Sequence, residues 1–273
     1  MLEVAEAYGL TFRFPAADTA IGPCLRDYGE FARPEIDLIE TLCDGDLVDV
    51  GANIGAICLP FAHGHPGRVV VAIEAQPALA EILQANVTAN GLCNVSVLSA
   101  AAGEASGTLQ IPLAKLDQAI NVGASSLYME SAATGLAQMI RLDDAAPANT
   151  RFVKIDVEGF EPRVLQGAPY LLRDVRPAWL VEVSRSRLRA AEEVKLRLSD
   201  AGYDLYWFYS PFLTRKRPRR LDERPKLRGD ISILAIDGNA PWPLPKVGQQ
   251  WPTDVGDFPY LAEYGLVSGR RQA

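Results

Sequence analysis

From residue 34 onward, short runs of apolar and β-branched residues alternate with longer stretches whose apolar positions recur at helical spacing. The expected strands are Leu47–Val50, Arg68–Ala75, Asn94–Ala100, Arg151–Glu158 and Ala178–Ser184, and the expected helices are Pro34–Leu42, Ile54–Ala62, Pro77–Asn90, Glu161–Arg173 and residues 188–201. Nearly continuous apolar strands are typical of a parallel sheet covered by helices on both faces. Two late runs, Tyr203–Tyr209 and Asp230–Ile236, have no helical pattern between them, so we expect an antiparallel last hairpin. The sequence therefore predicts an α/β fold with a mostly parallel, seven-stranded sheet.

Three regions depart from this alternation. Residues 1–33 are expected to form an irregular N-terminal arm with one short strand, Leu10–Phe14. Residues 103–146 are expected to hold hairpin-like pieces around a long non-helical loop. The chain after Asp237 is rich in Pro and Trp and shows little periodicity. We therefore predict an N-terminal arm (1–33), an α/β domain (34–237) and a C-terminal tail (238–273).

Composition narrows the class of protein. With 48% hydrophobic and 22% charged residues, the chain resembles an ordinary globular protein, and a net charge of −7 provides no basic field for nucleic acid. We therefore expect no nucleic-acid partner. No charge-free apolar run reaches the roughly 18 residues of a membrane span. The four cysteines lack a C-x-x-C pair, which favours reduced thiols in a cytoplasmic protein.

The stretch V-D-V-G-A-N-I-G at residues 48–55 joins the first expected strand of this alternation to its helix. In an open α/β sheet, ligands bind at such strand ends, so the loop through Gly51, Ala52, Asn53 and Gly55 is a candidate nucleotide cradle. Taken alone, a plain turn that needs glycine explains it equally well. A phosphate-binding P-loop is excluded because no Gly-Lys-Ser/Thr follows, and a dinucleotide fingerprint would place glycine where Asn53 stands.

Two acids indicate which nucleotide the loop binds. Asp49 lies two residues before Gly51, where a carboxylate repels a pyrophosphate but attracts an ammonium or sulfonium group. Glu74 closes the second of these strands, at the position from which an acid accepts hydrogen bonds from ribose hydroxyls. These features describe S-adenosylmethionine (SAM) better than NAD.

Several motifs in order resemble the FkbM-type methyltransferases. They are V-D-V-G-A-N-I-G, I-E-A-Q-P, N-V-S-V-L-S-A-A-A-G, G-A-S-S-L, R-L-D-D and K-I-D-V-E-G-F-E-P-R-V-L-Q-G-A, between about residues 46 and 184. The family's usual E-P is Glu74-Ala75-Gln76-Pro77 here, a departure that keeps the acid. The first 33 residues and those after about 238 are not covered, and they are the candidate surfaces for oligomer contacts.

The resemblance implies a Rossmann-like class I methyltransferase fold that uses SAM, releases S-adenosylhomocysteine and methylates a hydroxyl oxygen in most members. It also implies that Asp156 and a loop closing over the cofactor belong to the SAM site. The further positions that it places at the cofactor are Ala75, Ser99, Ala100, Ala101, Ser125 and Ser126.

Methyl transfer to an alcohol needs an acceptor oxygen held in line with the departing sulfur and a base that removes its proton. Lys154, Asp156 and Glu158 alternate with apolar residues in K-I-D-V-E, so an extended strand would point all three to one side. Asp156 is the favoured base, Glu158 the next, and Lys154 could neutralise them or orient a substrate oxygen. The alternative is a purely structural ion pair between Lys154 and a carboxylate.

Glu182 ends the fifth strand and is expected to face the same crevice. Asp156 and Glu182 are the pair that could hold a divalent ion, but one acid per strand is a thin Mg²⁺ site, so the sequence predicts no metal. The basic run Arg215–Arg220 follows aromatic residues 206–209 and suits an anionic or sugar-like acceptor, unless it is a solvated hairpin tip.

The sequence thus predicts a SAM-dependent O-methyltransferase acting on a sugar, glycan or natural-product hydroxyl. Two alternatives remain open at this point. One is an NAD(P)-dependent oxidoreductase with a degenerate fingerprint, and the other is a non-catalytic SAM-binding module.

Overall fold

The computed structural model describes residues 1–116, 133–214, 229–248 and 250–266, apart from the side chain of Val255. The elements in chain order are β1 (Leu2–Ala7), β2 (Leu10–Pro15), α1 (Ile21–Tyr28), α2 (Arg33–Leu42), β3 (Asp46–Val50), α3 (Cys58–Gly64), β4 (Val70–Glu74), α4 (Pro77–Ala89), β5 (Val95–Ser99), β6 (Ala101–Ala102), β7 (Gly107–Pro112), β8 (Thr134–Ile140), α5 (Leu142–Ala145), β9 (Thr150–Ile155), α6 (Glu161–Gln166), β10 (Ala178–Val183), α7 (Leu188–Asp200), β11 (Asp204–Pro211) and β12 (Gly229–Ile236). Further short helical segments lie between or after these elements, at Leu171–Val175, Arg185–Arg187, Val255–Asp257 and Pro259–Ala262.

The central sheet has seven strands in the order β11-β12-β10-β9-β3-β4-β5. The five strands from β10 to β5 pair in parallel, whereas β12 is antiparallel to both β10 and β11. All residues of β3 and β4 are buried, as their nearly continuous apolar character predicts. The predicted Rossmann-like class I fold with an antiparallel last hairpin is confirmed.

The N-terminal segment is more regular than the sequence suggested. An antiparallel β1–β2 hairpin and α1 replace the expected irregular arm, and hydrogen bonds tie β2 to helix α4. At the other end, residues after β12 return along β11, where Lys246 forms an antiparallel bridge with Tyr206. The Tyr264 hydroxyl donates to Asp37 of α2 at 2.7 Å. The division of the chain at residues 33 and 237 stays a prediction.

Three predicted elements end early or begin late. The helix expected from Ile54 begins at Cys58, and the strand expected to reach Glu158 ends at Ile155. The helix expected over Glu161–Arg173 ends at Gln166, because Gly167 approaches Gly103 and Pro169 disfavours helical continuation. A Cβ on Gly167 would lie 2.0 Å from the Gly103 carbonyl oxygen.

The predicted hairpin pieces around residues 103–146 are confirmed, since β7 and β8 pair antiparallel and β6 joins them in a second sheet. The four cysteines carry free thiols, three of them buried. Among the described residues, no helix is both long and apolar enough to cross a membrane.

Candidate active site

Two adjoining cavities open at the carboxyl ends of β3, β4 and β9. We call them the Glu74 cavity and the Asp230 cavity, and they hold about 540 and 630 Å³ of space, including space open to solvent. Their shared wall contains Gly51, Asn53, Asp156 and Glu158. A ligand that fills both cavities therefore has to pass Asp156.

The glycine loop is shaped by a close approach between chain segments. The backbone N–H groups of Gly51 and Ala52 both donate to the Ile73 carbonyl, at 2.9 and 3.0 Å. Gly51 has a φ of +82°, and a Cβ there would lie 1.9 Å from the Asp156 carbonyl oxygen. Glycine is required at this position by both conformation and space.

Glu74 is 6% exposed and holds the loop from the neighbouring strand. One of its carboxylate oxygens accepts from the Asn53 N–H at 2.9 Å and the other from the Gln76 N–H at 2.8 Å. Burial raises the pKa of Glu74 to about 7, although these two hydrogen bonds act in the opposite direction. Each oxygen can accept more than one hydrogen bond, so the carboxyl group, which lines the Glu74 cavity, has lone pairs left for a ligand.

Lys154 lies at the centre of the charged group. Its ammonium donates to Asp156 Oδ2 at 3.1 Å and lies 4.0 Å from Asp49 Oδ1. Burial alone would lower the pKa of Lys154, but Asp156, Asp49 and Glu35 together raise it, so the side chain is charged. Asp49 is 1% exposed, and its Oδ1 has no hydrogen-bond partner. Burial raises the pKa of Asp49, and the charge of Lys154 opposes that effect.

Three more carboxyl groups surround Asp156. Glu158 accepts a hydrogen bond from Arg187 Nη1 at 2.5 Å. Burial, reinforced by the Asp156 carboxylate, raises the pKa of Glu158, of Glu182 to about 10, and of Asp230 well above its ordinary range. The Asp230 cavity is therefore strongly acidic.

The strand that was expected to align three charges does not do so. Lys154 and Asp156 share a side, but β9 ends at Ile155, and Glu158 has a φ of +54° in the following turn. Glu158 reaches the shared wall through this turn and not through strand alternation. The predicted grouping of these residues with Glu182 around one crevice is what the cavity shows.

The structure places the predicted cofactor residues in three groups. Those lining the Glu74 cavity are Gly51, Asn53, Glu74, Ala75, Ala100, Ala101 and Asp156, and those lining the Asp230 cavity include Asp49 and Ala52. Gly55, whose φ is +89°, lines neither, and a Cβ there would lie 2.6 Å from Leu59 and 2.7 Å from Leu83. Ser99, exposed on the edge strand β5, also lines neither. Ser125, Ser126 and the basic run 215–220 lie outside the described residues.

Sequence reasoning missed Asp230 and two aromatic residues, Phe31 and Phe212. These rings stack with centroids 5.1 Å apart and form part of the Asp230 cavity wall. Asp230 had a usable signal. Because β12 runs antiparallel, its first residues meet the carboxyl ends of the parallel strands. Phe31 had none, since its position depends on the Ala32 N–H donating to the Phe212 carbonyl at 2.9 Å.

A seven-stranded sheet of this order, with a glycine loop after β3 and a buried acid at the end of β4, is the architecture of class I SAM-dependent methyltransferases. Residues 49–205, more than half of the chain, match the family described as the Methyltransferase FkbM domain. The chain belongs to this family. None of the curated proteins matches the sequence.

Solved structures with similar folds include other methyltransferases. Precorrin-6y C5,15-methyltransferase from Geobacter metallireducens GS-15 is 13% identical, with a TM-score of 0.46 over 75% of this chain and 86% of that one. Methyltransferase FkbM from Methylobacillus flagellatus KT is 21% identical, with a TM-score of 0.43 over 70% of this chain and 43% of that one. TYW2 from M. jannaschii, solved in complex with AdoMet, is 16% identical, with a TM-score of 0.46 over 86% and 84%.

Proposed function

We propose that this methyltransferase transfers a methyl group from SAM to a hydroxyl oxygen of a sugar, glycan or natural-product acceptor. The observation that carries the proposal is the position of Asp156 in the wall shared by both cavities, with its carboxylate 3.1 Å from the Lys154 ammonium. A base in that wall can reach an acceptor on one side and the cofactor on the other. This placement suits removal of the hydroxyl proton as the carbon–oxygen bond forms.

The residues present fit SAM. Glu74 offers carboxylate lone pairs for ribose hydroxyls in the Glu74 cavity. The Asp49 carboxylate, whose Oδ1 lies 4.0 Å from the Lys154 ammonium and accepts no hydrogen bond, adds negative charge that attracts a cationic ligand. When bound, SAM supplies a methyl group on a sulfonium leaving group. Gly51 leaves the loop backbone open to the ligand, because no side chain covers it.

The Asp230 cavity is the proposed acceptor site. The stacked rings of Phe31 and Phe212 offer an apolar wall, and carboxyl groups of Glu182 and Asp230 offer hydrogen-bond acceptors. These acidic side chains offer no positive charge to an anionic ligand, and a carboxyl group forms hydrogen bonds with hydroxyls in either protonation state. We therefore favour a neutral polyhydroxylated acceptor over the anionic one that the basic run 215–220 suggested.

The test is Asp156→Asn, which keeps the shape of the side chain but cannot take a proton. SAM should still bind in calorimetric titration, while single-turnover methyl transfer to an acceptor found by screening falls by about 10²–10⁴-fold. Alcohol acceptors should lose more rate than phenols, because a phenol gives up its proton more readily.

Asp204→Asn is the matched control. It removes an exposed ion pair in which the Asp204 carboxylate lies 3.2 Å from the Lys246 ammonium, and it should leave the rate unchanged. Lower thermal stability with full turnover in Asp156→Asn would mean that Lys154 and Asp156 form only a structural pair. Binding of NADH in place of SAM would favour an oxidoreductase. SAM binding without methyl transfer to any screened acceptor would favour the non-catalytic module.

A further inference from the structure

Three carboxyl groups converge beside the proposed acceptor site. One oxygen from each of Asp156, Glu158 and Glu182 lies within 4.8 Å of the other two. Two oxygens on opposite sides of a hard divalent cation are separated by roughly 4–5 Å, because the bonds are about 2.0–2.6 Å long. The three oxygens are therefore close enough to share one ion.

The members of this cluster differ in their partners. Within the described parts of the chain, Arg187 contacts Glu158 and Lys154 contacts Asp156. Among the described residues, the Glu182 carboxyl group makes no hydrogen bond or ion pair, and the charges around it are those of other carboxylates.

Two further carboxylates lie in the same cavity. Asp230, whose carboxyl group is surrounded by protein on nearly all sides, likewise has no such partner within the described ranges. Asp49 also lines this cavity, and its buried Oδ1, 4.0 Å from the Lys154 ammonium, accepts no hydrogen bond. The Asp230 carboxyl group and Asp49 Oδ1 are independent of the three oxygens that converge.

The charge balance selects a divalent cation over an organic ammonium group. Asp156, Glu158, Glu182 and Asp230 bring four carboxyl groups, whereas Lys154 and Arg187 are the cations that contact them in the ranges the structure describes. When all four are ionised, as binding of a cation requires, these two side chains do not balance them, and Lys154 is shared with Asp49 as well. A monovalent ammonium would leave part of this charge uncompensated in a partly enclosed site.

We propose that Asp156, Glu158 and Glu182 bind one divalent, oxygen-preferring cation, with Asp230 placed for a contact through water. The sequence predicted no metal because it offered one acid from each of two strands. The turn after β9 adds Glu158 as a third carboxyl ligand, which changes that expectation. Binding of the ion stands independently of methyl transfer. Its role, which is to hold the acceptor oxygen and lower its pKa, rests on the proposed function.

Manganese alone is the probe. Electron paramagnetic resonance of Mn²⁺ added to the metal-stripped full chain should show one site per chain, with a Kd of about 1 mM or tighter. Glu182→Gln should weaken it by at least about tenfold, whereas Glu40→Gln, at an exposed acid on α2, should not. Circular dichroism and thermal melting confirm that both variants are folded.

Three results would overturn binding of the ion: no Mn²⁺ site, a site insensitive to Glu182→Gln, or displacement of Mn²⁺ by saturating SAM. Methyl transfer unaffected by EDTA would overturn the role assigned to the ion. Displacement by SAM assigns the cluster to the cofactor's ammonium group, and insensitivity to EDTA assigns it to the base alone. Failure of the proposed function is a separate observation, since it would show as a lack of SAM binding or of any methyl acceptor while the Mn²⁺ signal persists.

Discussion

Glu74 connects the cofactor pocket to the loop that forms it. Its two carboxylate oxygens accept from the backbone N–H groups of Asn53 and Gln76, so the residue holds both segments that follow β3 and β4. The Gln76 side chain extends this connection, because its amide donates to Pro112 and accepts from the Ala114 N–H. Loss of the carboxylate therefore affects the ligand and the loop together.

Glu74→Ala should weaken SAM binding by roughly 1–3 kcal/mol, because ribose hydroxyls and two backbone donors lose a charged acceptor. Calorimetric titration measures the change. Glu81→Ala, at an exposed acid on the adjacent helix α4, is the control and should bind as wild type does. Unchanged SAM affinity in Glu74→Ala would remove Glu74 from the site.

Gly51→Ala should destabilise the protein even without a ligand, by at least about 2 kcal/mol. The added Cβ would meet the Asp156 carbonyl oxygen at 1.9 Å, and alanine disfavours the φ of +82°. Urea unfolding of the ligand-free protein measures the effect. Gly64→Ala is the control and should not lower stability, because an added Cβ there would have no atom within 4 Å beyond its own helix backbone and chain neighbours. A Gly51→Ala protein of normal stability and SAM affinity would contradict the assignment of the loop.

At the scale of elements, Asn86 joins three segments. It is fully buried in α4 and exchanges hydrogen bonds with Arg13 of β2, accepting from the N–H at 2.7 Å and donating to the carbonyl at 3.1 Å. Its amide also donates to the Ile54 carbonyl in the glycine loop at 3.0 Å. The N-terminal hairpin is thereby linked to the cofactor loop.

Asn86→Ala should lower the free energy of unfolding by about 2–4 kcal/mol, because buried backbone groups lose their partners. Denaturant unfolding gives the value, and the effect on SAM affinity should be smaller than that of Glu74→Ala. Thr88→Ala, which removes an exposed hydroxyl bonded within the same helix, is the control. Equal stability of the two variants would show that the hairpin does not depend on this link.

The central elements could be predicted because each β strand and its helix carry a local pattern. The nearly continuous apolar character of β3 and β4 indicated parallel strands, and the missing helical pattern before β12 indicated an antiparallel partner. The point where β9 ends could not be predicted. The turn that follows contains Glu158, which has a positive φ and pairs with Arg187, 29 residues away, and neither feature has a local sequence pattern. The N-terminal hairpin likewise depends on contacts with α4 that local periodicity does not encode.

At the scale of the whole molecule, buried carboxyl groups concentrate around the site. Burial raises the pKa of Glu35, Glu74 and Glu161 to about 7 and that of Glu182 to about 10, against an ordinary value of 4.5. At pH values between the ordinary 4.5 and the raised pKa values, the folded protein binds more protons than the unfolded chain. Folding stability is then greatest at low pH within this window and is lost as pH rises through the raised pKa values.

Melting temperature of the ligand-free protein should therefore fall between about pH 5.5 and about pH 8 at constant ionic strength. Glu104 and Asp237, whose partly exposed ion pairs with Arg163 and Arg176 lower their pKa values, stay ionised across this interval and contribute no slope. Glu74→Gln should flatten the profile, because a single raised carboxyl group accounts for up to about 3 kcal/mol. Glu81→Gln replaces an exposed acid and leaves the buried carboxyl groups unchanged, so it should keep the wild-type slope. A melting temperature that is constant or rises with pH would mean that these carboxyl groups are ionised in the folded protein and balanced by bound cations, and adding EDTA at about pH 8 would then lower it.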